Sequence, residues 1–205
     1  MSVLKIFTFP DPVLLKKAEP ISKFDTKIKA LANDMMDTMR ASKGIGLAAP
    51  QVGVPLQMVV VEIDVDDNDL DQEEVDEDDD VEPKAKKKSR KKKDRLVHQY
   101  VVCNPVVTKK KGHARIEEGC LSLPEFFVEV DRAKEIVLEG QTFEGEPFRL
   151  EANGLLSICF QHELDHLDGT LLTNYVDRDE REAYRKEMRE KKLAEKEGKT
   201  ETAAK

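Results

Sequence analysis

The chain is short of cysteine, of histidine and of long apolar runs, and each shortage removes a class of protein. Its three cysteines, Cys103, Cys120 and Cys159, are scattered through 205 residues. That is too few and too dispersed for a disulfide framework, so each reads as a buried thiol or a metal ligand. No run of about eighteen apolar residues occurs, which excludes a membrane-spanning helix. The opening Met1-Ser2-Val3-Leu4-Lys5-Ile6 lacks the apolar stretch of a secretory signal, and a cytoplasmic protein is expected. A phosphate loop is missing too. Lys43-Gly44-Ile45-Gly46 has neither the third glycine of a dinucleotide site nor the Lys-Ser/Thr of a nucleotide-triphosphate loop, and it follows a helical pattern rather than a strand. What remains, 205 residues with 37% charged and a formal net charge of −8, suits one soluble domain with solvated appendages and a core large enough for an enzyme.

Of the four histidines, two stand in Gln161-His162-Glu163-Leu164-Asp165-His166. Four residues apart on a helix, the two imidazoles share one face and can hold a single divalent metal, while Glu163 beside the first reaches the open coordination position as a general base. Apolar Leu155, Leu156, Ile158, Cys159, Phe160, Leu164 and Leu167 surround these polar groups, so the helix is expected to be buried nearly all round. Its polar side chains then need partners in the interior, and a metal supplies one. His98 and His113 have no ligand-like spacing.

A third ligand comes from Glu117-Glu118-Gly119-Cys120-Leu121-Ser122-Leu123-Pro124, where Cys120 follows a glycine that lets backbone or substrate approach closely. A thiolate with two neutral imidazoles leaves one position open, as a catalytic metal requires. Cys103 and Cys159 read as small buried hydrophobes. In Lys43-Gly44-Ile45-Gly46-Leu47-Ala48-Ala49-Pro50-Gln51 the glycines mark the end of a helix and a length of bare backbone able to pair with an extended ligand, and Gln51 offers a neutral amide donor to a developing oxyanion.

Together these segments resemble the peptide deformylase family, whose hallmarks stand intact and in order as Gly44 to Gln51, Glu118 to Ser122 and Gln161 to His166, over about residues 3 to 176. The resemblance implies a metal-dependent hydrolase of protein biosynthesis. It would remove the formyl group from N-formylmethionyl ends of nascent polypeptides and release formate. It implies one divalent metal on Cys120, His162 and His166, ferrous iron in many bacterial members, with zinc, nickel or cobalt as substitutes. Glu163 would be the general base, with the Gln51 amide and the Leu121 backbone N–H stabilising the oxyanion. Ile45, Gly46 and Gly119 would line an extended peptide. Gly44, Ile45, Leu155, Ile158 and Cys159 would form the methionine pocket, with Glu118 near its mouth. Family members often carry an acid before the glycine motif, where this chain has Lys43, so Glu118 has to serve as the partner of Arg132. Phe126-Phe127 stands where many relatives are more polar, which bears on peptide preference. A monomer is expected, with no DNA or membrane partner. Two competing readings are an HExxH metallopeptidase, taking a downstream acid such as Asp177 or Glu180 as third ligand, and a noncatalytic ribosome-associated metal-binding protein. Cys120 discriminates the first, and Glu163 with Gln51 the second, because mere binding needs neither.

The expected fold is α+β: antiparallel strands packed around a central metal-bearing helix, with a C-terminal helix. Ile28, Leu31, Ala32, Met35 and Met39 predict a helix from about Asp25 to Ala41. Strands are predicted at Met58 to Ile63, Leu96 to Cys103, Phe126 to Val130 and Glu135 to Leu138, with Pro105 and Pro124 ending two of them. The catalytic domain spans 1–176. Within it, 66–95 is an acidic block followed by a basic block that cannot bury enough apolar surface to fold, so it reads as a disordered insertion in a surface hairpin. Residues 177–205 form a charged helical tail in which only Tyr184, Met188 and Leu193 could dock. A basic C-terminal helix holds some bacterial members at the ribosome, and a transient ribosome contact is the corresponding expectation, although acids here nearly balance bases.

Overall fold

The computed structural model describes residues 3–65 and 96–203, so the expected disorder of the charged insertion at 66–95 lies outside the described residues. Met58-Val59-Val60-Val61 is apolar without alternation, the mark of a strand buried on both faces. It lies in strand β2 (Met58–Val65) at the heart of the molecule, with all four residues fully buried. Val59, Val61 and Ile63 point into one core with Phe160 and Leu167 of helix α2 (Gly154–Leu167). Met58 and Val60 point into another with Ile28, Met35 and Met39 of helix α1 (Thr26–Ala41). Because successive side chains alternate across a strand, the two helices cover opposite faces of one sheet.

That sheet is antiparallel, in the order β1 (Gly46–Ala48), β2, β3 (Leu96–Lys111), β6 (Glu135–Gln141), β7 (Pro147–Asn153). A separate hairpin pairs β4 (Ala114–Cys120) with β5 (Leu123–Arg132). The α+β architecture around the helix that carries His162 and His166 is therefore as expected. The expected strands are all present, but β1, β4 and β7 were not anticipated. β1 is only three residues long, while Glu117-Glu118-Gly119 in β4 and the alternating polar residues of β7 carry little apolar signal.

The prolines end neither strand. β3 runs through Pro105, with Asn104 at φ 50 and a register shift between Cys103 and Val106, so the missing N–H falls in a bulge. Asn104 secures the bulge by accepting from the Ile21 N–H at 2.7 Å and donating to the Ile21 carbonyl at 2.8 Å. Pro124 lies inside β5 at a second irregularity, where Gly119 pairs with Phe127 but Cys120 pairs with Leu123.

Asp25 caps α1 by accepting from the N–H groups of Lys27 and Ile28. The helix ends not on a glycine but with Lys43 in the left-handed region, φ 57, and the Gly44 N–H bonded to the Met39 carbonyl at 2.9 Å. The tail forms helix α3 (Arg178–Ala203), and two of the three expected anchors dock. Tyr184 lies 4.4 Å from Phe126 and 5.8 Å from Phe9, centroid to centroid, and its hydroxyl donates to the Pro124 carbonyl at 3.0 Å. Met188 is buried beside it, whereas Leu193 is 59% exposed. Tyr184→Ala is expected to lower stability by about 3 kcal/mol, and Leu193→Ala by less than about 0.5 kcal/mol, read from urea denaturation midpoints.

Candidate metal centre

The α-helical period places His162 and His166 on one face of α2, with ring centroids 5.1 Å apart. Cys120 arrives from the end of β4, where the shift in pairing between Gly119 and Cys120 turns the chain so that its thiol faces the helix. Its Sγ lies 3.1 Å from His166 Nε2. One ligand atom from each of Cys120, His162 and His166 falls within 4.8 Å of the other two, and no other His, Cys, Asp or Glu group among the described residues converges in this way. Asp177, a third ligand in the peptidase reading, accepts instead from the Glu180 N–H at the start of α3, 2.9 Å away.

The His162 ring is fixed from behind. Its Nδ1 lies 2.8 Å from Glu118 Oε2, so a neutral ring donates there and leaves Nε2 with its lone pair for a cation. Glu118 is held in turn by Arg132, whose Nε and Nη2 donate to its two oxygens at 2.7 and 2.9 Å. The expected Arg132–Glu118 pair is thus formed, and it is larger than expected: Arg132 Nη1 donates to Asp165 at 2.7 Å, and the Tyr175 hydroxyl donates to the same carboxylate at 2.7 Å. Burial opposes ionisation of Glu118, but the Arg132 and His162 contacts outweigh it and hold its carboxyl below the usual range. Burial also pushes Tyr175 up to about 12, and its hydrogen bond to Asp165 adds to this, so it remains a donor. Gln161, the other polar residue of the motif, bonds only backbone and Ser157. It clamps the Ala133 N–H and carbonyl at 3.0 and 2.9 Å, tying α2 to the turn after β5.

Glu163 is buried, and its Oε2 has no hydrogen-bond partner among the described residues. Burial pushes its carboxyl up to about 7, with His162 opposing and Glu118 and Asp165 adding to the rise. The glycine opposite makes this position available: a Cβ on Gly46 would stand 2.3 Å from Glu163 Oε1 and 2.8 Å from Cys159 Sγ. The glycine expected to admit a peptide therefore also admits the carboxylate. The Gln51 side chain is buried, accepting from the Ala48 N–H at 2.7 Å and presenting Nε2 to Ser122 Oγ at 3.2 Å and Cys120 Sγ at 3.6 Å.

A cavity of about 410 Å³ opens here. Every residue expected to contact substrate lines it: Gly44, Ile45, Gly46, Glu118, Gly119, Leu155, Ile158 and Cys159, together with Gln51, Leu121, Cys120, His162 and Glu163. Two expectations change in detail. Leu155 is 50% exposed at the rim, so α2 is not buried all round, and the Glu118 carboxylate is directed to Arg132 and His162 rather than to the cavity mouth. Lys43, Ile116, Glu117 and Phe127 also line the cavity.

A family model described as polypeptide deformylase matches residues 3–182. The chain belongs to the polypeptide deformylase family. A peptide deformylase of Buchnera aphidicola subsp. Acyrthosiphon pisum (strain Tuc7) is 39% identical over 188 residues, 92% of each chain. One from Thermodesulfovibrio yellowstonii is 37% identical over 94% of this chain and all of its own length. Among solved structures, the Legionella pneumophila enzyme is similar with a TM-score of 0.73 and 32% identity, covering 95% of this chain and 98% of that one. The Ehrlichia chaffeensis enzyme in complex with actinonin is similar with a TM-score of 0.75 and 31% identity, covering 93% and 98%. The family is metal-dependent, and the residues present fit a cation: a soft thiolate and two imidazole nitrogens converge beside an unpaired buried carboxylate.

Asp165, Tyr175 and Ser122 were not identified from sequence. The sequence marked Asp165 only as one of several polar groups on α2 needing a buried partner, and Tyr175 and Ser122 meet theirs only through the tertiary fold. Arg132→Met leaves Glu118 buried without its cation and frees His162 to turn. It is expected to cost about 3–5 kcal/mol in denaturant unfolding and to weaken metal affinity about 10- to 100-fold in chelator competition.

Proposed function

We propose that the chain hydrolyses the N-formyl group of N-formylmethionyl peptides, releasing formate and a free amine, with Cys120, His162 and His166 as metal ligands and Glu163 as general base. The observation that carries this reading is the buried Glu163 carboxylate, unpaired at one oxygen among the described residues, in the same cavity as Cys120 and His162. Cys120, His162 and His166 would hold a divalent cation, which when bound would supply Lewis acidity to water and to the formyl carbonyl. Glu163 takes a proton from the attacking water and returns it to the departing nitrogen. The Gln51 amide, held against Ser122 and the Cys120 sulfur, and the Leu121 backbone N–H face the oxygen as it gains charge.

Methionine enters the apolar part of the cavity at Ile45, Leu155, Ile158 and Cys159. Burial together with the Glu163 and Glu118 charges holds the Cys159 thiol well above its ordinary pKa, so it stays a neutral, polarisable wall rather than a competing ligand. The peptide backbone extends past Gly44, Gly46 and Gly119, pairing with strand edges. Ferrous iron is our choice of working metal, with zinc, nickel and cobalt suited to the same donor set. One chain supplies every ligand, so a monomer suffices. Among the described residues no helix is long and apolar enough to cross a membrane. A cytoplasmic enzyme meeting nascent chains through transient contact of α3 with the ribosome completes the reading.

Purified, anaerobically prepared protein is expected to release formate from formyl-Met-Ala-Ser, and release no greater than that of Glu163→Ala in the iron, nickel and zinc forms refutes the assignment. Cys120→Ser is expected to abolish or sharply alter activity, which a peptidase site lacking this ligand would not show. Gly46→Ala, by displacing Glu163, is expected to lose on the order of a hundredfold in kcat while retaining metal, measured by elemental analysis beside the rate.

A further inference from the structure

Cys120 meets His166 on one side and packs against an apolar core on another, a core that includes Phe9, Leu123, Phe126, Leu171, Tyr184 and Met188. Tyr184 and Met188 come from α3, so the tail closes the core against which the sulfur rests. The backbone there is held in an unusual shape. Beyond the pairing of Cys120 with Leu123, Glu125 lies in the left-handed region at φ 61, a conformation that such a residue rarely adopts and that persists only where its surroundings hold it. Those surroundings are supplied by α3. The Tyr184 hydroxyl donates to the Pro124 carbonyl at 3.0 Å, its ring lies 4.4 Å from that of Phe126, and Lys191 Nζ reaches Glu125 Oε2 at 2.7 Å. The Glu125 side chain is exposed, so the ion pair adds little, and the buried Tyr184 is the main contact. A second route runs through the N-terminal segment: Lys192 Nζ donates to the Thr8 carbonyl at 2.6 Å, and the Phe9 N–H donates to the carbonyl of Ser122 at 2.9 Å, two residues after Cys120.

We propose that Tyr184 is a positioning residue for the metal centre: docked from α3, it fixes the Pro124 kink and the apolar wall behind Cys120, and so holds the thiol in reach of the cation shared with His162 and His166. This rests on the reading of Cys120 as a metal ligand. Tyr184 touches neither cation nor peptide and acts only through Cys120. A ligand already ordered before the ion arrives costs less to bind than one that must be ordered by it, so a wall that keeps the thiol in place strengthens metal binding without supplying a ligand atom.

Zinc affinity is measured by chelator competition, with denaturant unfolding beside it. Tyr184→Ala is expected to bind zinc about tenfold more weakly, and Tyr184→Phe, which keeps the ring and loses only the hydrogen bond, about threefold more weakly. In a Cys120→Ala background the effect of Tyr184→Ala is expected to fall to a ratio of about one, because no thiol is left to position. A general structural defect would weaken the site of two histidines as much as the site of three ligands. In cobalt-substituted protein the thiolate-to-cobalt charge-transfer absorption per bound ion is expected to fall in Tyr184→Ala. Native zinc affinity or a native thiolate band in Tyr184→Ala, or an equal loss with and without Cys120, overturns the positioning role while leaving the ligand set intact. Zinc affinity unchanged by Cys120→Ala overturns the ligand set, and the positioning role with it.

Discussion

The structure around the metal centre depends on neutralising one buried cation, the guanidinium of Arg132. It sits almost out of solvent with carboxylates from two different elements, Glu118 on β4 and Asp165 on α2. Such a charge is strongly unfavourable unless paired with good geometry, so β4 and α2 cannot shift relative to each other without leaving a charge unpaired. Cys120 is two residues from Glu118, and His162 and His166 flank Asp165. The ion network therefore holds the thiol and the imidazoles in register, although it contributes none of the three ligand atoms. Two carboxylates face one guanidinium, and the excess negative charge is offset by hydrogen bonds from the His162 ring and the Tyr175 hydroxyl. The excess also raises the basicity of the imidazole as a ligand.

The sheet fixes the other side of the site. Because Met58 to Val61 of β2 are apolar on both faces, the strand draws α1 to one side and α2 to the other, and β1 is carried at the edge beside α2. Gly46 thereby faces Glu163, with no room for a methyl group between them. The short turn after β1 brings Gln51 to Ser122, which joins the main sheet to the β4–β5 hairpin by side-chain hydrogen bonds. The cavity lies between these two sheets, so each wall carries its own functional segment of the sequence.

The parts legible in the sequence are those in which local spacing determines geometry. The four-residue interval of His162 and His166 becomes one helical face whatever surrounds it, and the α1 pattern from Ile28 to Met39 produced a helix with nearly its expected bounds. Reading failed where tertiary pairing overrides local preference. Pro105 and Pro124 look like strand ends, yet both are accommodated in irregular pairing, the first secured by Asn104 reaching Ile21. Periodicity alone counted Leu155 with the buried face of α2, whereas the resemblance placed it in the methionine pocket, and it lines the cavity rim at 50% exposure. Leu193 looks like an anchor but stays 59% exposed, whereas Tyr184 meets Phe9 and Phe126, contributed by segments far away in sequence. The Arg132–Glu118 pair was legible through the family resemblance, because Lys43 stands where relatives often carry the acid and Glu118 was left to serve. Tyr175 was not, since nothing local marks a tyrosine as the donor that completes a carboxylate's shell.

Five of the six residues from Gln161 to His166 are polar, on a helix that packs against the main core, and such a sequence folds only if each polar group has a task. Gln161 bonds backbone, His162 bonds Glu118, Asp165 bonds Arg132 and Tyr175, and His166 Nε2 meets the Cys120 thiol. After these pairings, the buried side-chain atoms without a partner among the described residues are Glu163 Oε2 and His166 Nδ1. Buried polar atoms left unpaired are unfavourable by roughly 1–3 kcal/mol each, so a helix selected for stability alone would have lost them. Glu163 keeps its place opposite a glycine, lining the same cavity as Cys120 and His162. The other polar groups of Gln161 to Asp165 are satisfied by protein, and the carboxylate that is not is the one the proposed proton transfer would need unoccupied.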